Sequence, residues 1–416
     1  MITNIKGWRD PALLLSSMGV SSIGDFIYLV AVNIIVYQLT GSATAVAGLW
    51  VVGPLTNIIT KFWTGSFIEY RSKKKVMIVT YIIRAVFICF IPFAPNMAFI
   101  YGVLVLLSVA KAFFHPSSMT YVAILVPKEK RKRFNSIRSF TSSGAFIIGP
   151  AIGGSLILFT SVETTLWLNA LFFLVSAVLL FFLPEKEEID KETIPTLTFS
   201  QVLQDFSVVK KFMSQNKYVS IIYLGFIIVM LFTFAMDTQE VVFTQQVVGL
   251  SEMEYSLLIS VTGIGSVIGA MLLSIFTNVF SLRYMIVIGL VMMTIGYIIY
   301  AFSWSFNSIV VGFVILGFFN VFLNAGITTF YQNNVPVEIM GRVTSVFQLI
   351  QSAVQVLFIL ATGLVADLIS LRITIIALAV VMLVSSIIYS VLVLKPNKTF
   401  YYYEDHTEKE EVNVQA

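Results

Sequence analysis

Two apolar runs, at 43–68 and 76–94, are separated by a short charged hinge, Gly65-Ser-Phe-Ile-Glu69-Tyr-Arg71-Ser-Lys73-Lys74-Lys75. Each run is long enough to cross a bilayer, which takes about 20 predominantly apolar residues in helical form. The hinge cannot follow them into hydrocarbon, because a Lys, Arg or Asp at the centre of a span costs about 2.5–3.5 kcal/mol on insertion scales. The chain must therefore cross, turn on one face of the membrane, and cross back. A cluster of Lys and Arg between spans marks the cytoplasmic face.

Composition fits this pattern throughout the chain. Of 416 residues, 58% are hydrophobic and only 12% are charged, whereas a soluble domain carries about 25% charged residues. The apolar runs are continuous, which excludes a transmembrane β-barrel, whose strands alternate apolar and polar over about ten residues. The basic clusters lie between spans, so orientation accounts for them and no nucleic-acid partner is expected. The single cysteine, Cys89, permits no intramolecular disulfide. The two histidines, His115 and His406, are too few for a histidine-rich metal site. No phosphate-binding loop and no catalytic constellation occurs, so an enzyme, a resident metal and a bound cofactor are not expected. Lys6 and Arg9 precede a first run without a small-residue cleavage site, which reads as a retained span.

Twelve spans are predicted, at 11–37, 43–68, 76–94, 97–126, 138–160, 164–184, 219–246, 255–279, 284–303, 307–332, 343–367 and 371–394. Positive charge concentrates in alternate connections: Lys6 and Arg9, 71–75, 128–133, 186–217, Arg283 and Arg342. The opposite connections lack Lys and Arg except for Arg372, beside Asp367. This bias predicts a multi-pass protein of the cell membrane with both termini cytoplasmic. The expected organisation is an all-α membrane protein. It comprises a six-helix bundle at 1–184, a cytoplasmic linker at 185–217, a second bundle at 218–396, and a polar, disordered tail at 397–416. An amphipathic helix is expected near 200–213.

The two halves repeat. Val126-Pro127-Lys128-Glu129 precedes Arg133 and Ser136, and Val335-Pro336-Val337-Glu338 precedes Arg342 and Ser345, every match displaced by 209 residues. The same displacement carries the fourth span onto the tenth and the fifth onto the eleventh. A six-plus-six parallel repeat builds a substrate cavity near the bilayer midplane.

Charges within spans should face the bundle interior or water. Asp25, Arg84, Lys111, Asp237 and Glu240 are such residues. They are read either as structural ion pairs or as a proton site, a carboxylate in a low-dielectric cavity holding its proton more tightly. Asp25 is the first candidate for proton coupling, Asp237 the second, and Glu240 lies one turn further out. Lys111 and His115 are four apart and share a helical face; the repeat maps them onto Asn320 and Asn324. These polar pairs, with Arg84, are candidates for lining a central cavity. Gly149 and Gly153, also four apart, offer a smooth face for a neighbouring helix.

The hinge, with Gly65, Glu69, Arg71, Lys73 and Lys74, resembles the loop 2–3 motif of the Major Facilitator Superfamily. It departs from that motif in having Glu69 for the usual Asp and Tyr70 for the usual Arg. Gly149-Pro150-Ala-Ile-Gly153-Gly154 resembles the superfamily's exporter motif, with Ala145 where a further glycine is expected. Pro336-x-Glu338-x-x-Gly341-Arg342, and the prolines near the end of span four, are similar to the bacterial macrolide-efflux and siderophore-exporter branch. The resemblance implies a monomer of twelve helices, with Glu69 pairing to basic groups across the halves as a latch. It implies export of a hydrophobic or amphipathic molecule, such as an antibiotic, drug or siderophore, in exchange for protons. The alternatives are a proton-symport uptake carrier on the same fold, or a lipid-handling or scaffold protein without ion coupling.

Overall fold

The computed structural model describes residues 8–40, 43–187, 199–277 and 279–403. Its regular structure is helical. Apolar runs fold as helices because only a helix satisfies every backbone N–H and C=O within one segment in lipid. The first six are α1 (Arg9–Thr40), α2 (Ala43–Glu69), α3 (Lys73–Phe90), α4 (Met97–Leu125), α5 (Lys128–Phe159) and α6 (Val162–Phe181). The linker contains α7 (Phe199–Gln215). The second set is α8 (Lys217–Thr238), the short α9 (Glu240–Val242), α10 (Glu252–Ile275), α11 (Leu282–Phe302), α12 (Phe306–Asn334), α13 (Val337–Leu368) and α14 (Leu371–Val393). Eleven helices among the described residues are long and apolar enough to span; a further long helix, α2, has 27 residues.

Helix starts are written locally. The hydroxyls of Ser72, Ser161 and Ser281 and the Asn96 amide oxygen cap the first turns of α3, α6, α11 and α4. Ser251 and Glu254 form a reciprocal capping box at α10. The repeated Val-Pro-x-Glu signature sits where α5 and α13 begin. Its proline precedes the helix and its glutamate stands in the first turn, against the positive helix end. The displacement of 209 holds in the helix boundaries: α2 and α10, α3 and α11, α4 and α12, α5 and α13, and α6 and α14 each start 209 residues apart.

The chain forms two compact units. The first holds 1–127, 144–212 and 335–352; the second holds 128–143, 213–334 and 353–416. The opening turns of α5 thus belong with the second unit, and those of α13, their repeat equivalents, with the first.

Four expectations differ from the observed elements. The fifth and eleventh spans begin about ten and six residues earlier than hydropathy indicates, at Lys128 and Val337. The α5 extension is polar, and protein buries part of it: Arg131, Lys132 and Asn135 are 5%, 6% and 2% exposed. The seventh span is interrupted. Helix α8 closes at Thr238, and after α9 the chain passes through a π-type turn at Phe243–Val247. The tail, expected to be disordered from 397, is ordered to Tyr403: Pro396–Tyr402 is a 3-10 helix and Tyr402 is buried. It is held because the Tyr402 and Tyr218 hydroxyls hydrogen-bond, Asn334 donates to the Tyr401 carbonyl, and Arg283 donates to Thr399. Residues 188–198 of the expected linker and 404–416 of the tail lie outside the described residues.

Candidate functional site

In the first unit the charged hinge is tied down residue by residue. Lys73 donates its backbone N–H and its ammonium to Glu187, at 2.7 and 2.9 Å, and its ammonium also reaches the Glu69 carbonyl. Lys74 donates to the Phe181 and Leu183 carbonyls, closing the C-terminal end of α6. Lys75 pairs with Glu185 at 3.1 Å, and the Ser72 hydroxyl holds the Glu185 carboxyl below the usual carboxylate range. Arg71 donates to the Phe67 carbonyl and lies 3.9 Å over the Phe67 ring.

The acid of the hinge meets Arg342 from the start of α13. The guanidinium Nε is 3.8 Å from Glu69 Oε2 and 3.4 Å from Asp205 Oδ1 of α7, with all three side chains largely buried. Arg342 also donates to the Tyr70 hydroxyl at 2.9 Å. Tyr70, a departure from the expected motif, is thus a ligand of Arg342. Gly65 lets α13 approach, since a Cβ there would lie 3.1 Å from Arg342 Cα and from Ser345 Cβ. Thr64 donates to the Ser345 hydroxyl beside it. Gly341 packs over Glu69, the nearest carboxylate oxygen lying 3.5 Å from where its Cβ would be.

Asp205 was missed by motif matching, yet the sequence carries a signal. Val202, Asp205, Val209 and Phe212 share one face of α7 and are buried. A lone acid on an otherwise apolar stripe asks for a buried cation, and Arg342 is that cation.

Within the span region of the same unit, Asp25 of α1 forms an ion pair with Arg84 of α3. Lys111 of α4 stands 3.7 Å from the same carboxylate oxygen. Arg84 lies 4.0 Å over the Phe173 ring. His115 Nδ1 is 2.5 Å from the Gln348 amide nitrogen. The exporter-like stretch of α5 packs on α1: a Cβ at Gly149 would lie 2.5 Å from Phe26 Cβ, and one at Gly153 would lie 3.3 Å from Ile27 Cα. Gly154 meets nothing within 4 Å, and Pro150 is accommodated inside the helix.

The second unit carries the other two carboxylates. Asp237 Oδ1 accepts from the Tyr297 hydroxyl at 2.7 Å, and Tyr255 stands beside Glu240. Among the described residues no Lys or Arg lies at ion-pair distance from either. They flank the break where α8 gives way to α9 and the π-type turn, the kind of helix irregularity that recurs at functional sites. Asn324 donates to the side chain of Asn320 at 2.6 Å, so these two repeat equivalents of Lys111 and His115 are joined to each other. Lys111, His115 and Asn324 are exposed although they stand well inside helices of span length, and Asp237 is exposed in the last turn of α8.

A family profile described as the Major Facilitator Superfamily matches residues 14–358 and 240–408. The multidrug efflux pump Tap of Mycolicibacterium fortuitum is 23% identical over 405 residues, covering 93% of this chain and 96% of the pump. An uncharacterised transporter of the same superfamily, YfiS of Bacillus subtilis, is 28% identical over 183 residues; the match covers 44% of this chain and 44% of YfiS. Among solved structures, the human organic anion transporter MFSD10 superposes with a TM-score of 0.76 at 14% identity, covering 92% of this chain and 99% of the other. The fucose:proton symporter of Escherichia coli gives 0.72 at 14% identity, covering 92% and 98%. At such identity these structures establish the twelve-helix transporter fold.

Proposed function

Because this chain belongs to the Major Facilitator Superfamily, we propose that it exports a hydrophobic or amphipathic small molecule across the cell membrane in exchange for protons. It works as a monomer with both termini cytoplasmic, drawing on the proton gradient and on no bound cofactor. The observation that carries this reading is the contrast between the two sets of carboxylates. Asp25 is held between Arg84 and Lys111, so its charge is compensated without a proton. Among the described residues no Lys or Arg pairs with Asp237 or Glu240, and Asp237 is met by the Tyr297 hydroxyl, so relief of their charge falls to a proton or a cationic ligand. In this reading Asp237 and Glu240 carry the proton, and Asp25 organises the cations around it. The similarity to Tap along nearly its whole length favours export over uptake.

In alternating access the proton binds with the site open outward and leaves with it open inward, and substrate moves the opposite way. The test is transport of a compound panel into inverted vesicles with and without a pH gradient. Asp237→Asn, alone and with Glu240→Gln, is expected to lose gradient-driven accumulation at least tenfold while retaining substrate exchange. If the double variant accumulates substrate against a gradient as well as the unaltered protein, these carboxylates do not couple the cycle.

A further inference from the structure

Helices α3 and α4 of the first unit leave a slot of about 710 Å³ between them. Its walls are two apolar stripes at helical spacing, Val76, Val79, Ile83 and Phe87 on α3 and Leu106 and Val109 on α4. Phe87 and Leu106 also line a second cavity of about 690 Å³ that extends the slot toward Phe90 and Phe99. Val79 and Leu106 are 50% and 44% exposed, so the slot opens sideways toward lipid.

The slot is not apolar at both ends. Arg71, Lys75, Glu185 and Glu187 form its mouth. Glu187 is spent on Lys73, and Glu185 is shared with a Lys75 that remains 69% exposed. Among the described residues no carboxylate pairs with Arg71, whose contacts are the Phe67 carbonyl and ring. Among the described residues the mouth therefore keeps a net positive charge. From Lys75 to Phe87 the helix rises about 18 Å at 1.5 Å per residue, close to the roughly 15 Å hydrocarbon depth of one leaflet.

Depth, shape and charge together describe one kind of occupant. We propose that the slot binds a single anionic phospholipid of the adjoining leaflet, its phosphate held by Arg71 and Lys75 and one acyl chain lying along Val79, Ile83 and Phe87. Arg and Lys both donate to phosphate oxygens, Arg with a planar fork and Lys with a compact ammonium. The acyl chain covers apolar surface that α3 and α4 leave open in the slot. Because Arg71 lies in the hinge that also carries Glu69 and Tyr70, the bound lipid would stiffen the element that holds Arg342.

Native mass spectrometry of the purified full-length protein tests this. Phosphatidylglycerol is titrated against phosphatidylcholine with the same acyl chains. One phosphatidylglycerol is expected to be retained, with about tenfold preference over phosphatidylcholine, the size of one charge-assisted contact. Val79→Trp fills the slot and should abolish retention, with Ile83→Phe as a milder filler should the first variant misfold. The double variant Arg71→Gln, Lys75→Gln should lose the preference between headgroups about tenfold. Equal retention of phosphatidylglycerol in the filled variants would overturn the proposal. So would equal binding of the two lipids to the unaltered protein. If a transported amphiphile is retained in place of phosphatidylglycerol, the slot is a substrate port and the lipid assignment fails.

Discussion

Arg342 makes sense only through its partners. Two carboxylates, Glu69 and Asp205, and the Tyr70 hydroxyl converge on one guanidinium. Removing one partner of a buried ion pair costs about 3–5 kcal/mol, but here the second carboxylate remains, so single losses should be milder. Asp205→Asn and Glu69→Gln are each expected to slow transport several-fold. The double variant should fall well beyond the product of the two, because both acids act on the same cation. Initial transport rates of the single and double variants measure this; multiplicative effects would show that Asp205 and Glu69 act separately. Asp25 lends itself to a different test. Asp25→Asn leaves Arg84 and Lys111 facing each other without an anion, so the principal expected defect is a lower thermal midpoint of the purified protein.

At the scale of an element, α5 shows how one helix serves two purposes. Its first turns carry Arg131 and Asn135. Arg131 donates to the Gln332 carbonyl and the Asn333 side chain, and Asn135 to Thr329 and Gln332, at the end of α12. Its later turns carry the glycines that face α1. Two substitutions within this stretch should differ in sign. At Gly149 a methyl group would meet Phe26 Cβ at 2.5 Å, and overpacking of this kind costs about 1–3 kcal/mol. At Gly154 nothing lies within 4 Å, and alanine in a helix interior is favoured over glycine by about 0.5–1 kcal/mol. Gly149→Ala should therefore lower the thermal midpoint, and Gly154→Ala should leave it unchanged or raise it. Equal shifts would mean that the α1–α5 contact is not close enough to exclude a methyl group.

For the molecule as a whole, the charge distribution between spans predicts the side on which each connection lies. With Cys89, the single native cysteine, replaced by Ala, Ser200→Cys in α7 and Asn307→Cys at the start of α12 should report opposite faces. Both positions are exposed. An impermeant thiol reagent applied to intact cells should label position 307 and not position 200. Labelling at 200 would overturn the orientation proposed for the linker and, with it, for both termini.

The sequence alone determined the number of spans, their approximate positions and their repeat, because hydrocarbon length and helix start signals act over neighbouring residues. It also marked the charged hinge, the close-approach glycines and the intramembrane charges, since each is chemically conspicuous where it stands. It left their partners open. Arg84 and Asp25 are 59 residues apart, Arg131 and Gln332 are 201 apart, and Arg342 and Tyr70 are 272 apart. Pairing over such separations depends on which helix faces meet, and apolar periodicity around a membrane helix barely distinguishes one face from another when lipid and protein interior are both apolar. The early start of α5 was hidden for a related reason: hydropathy detects what lipid will accept, whereas protein buries Arg131, Lys132 and Asn135. Tertiary structure alone decided that, among the described residues, Asp25 has two cations and Asp237 none, a difference made by which neighbours the folded helices bring within reach of each carboxylate.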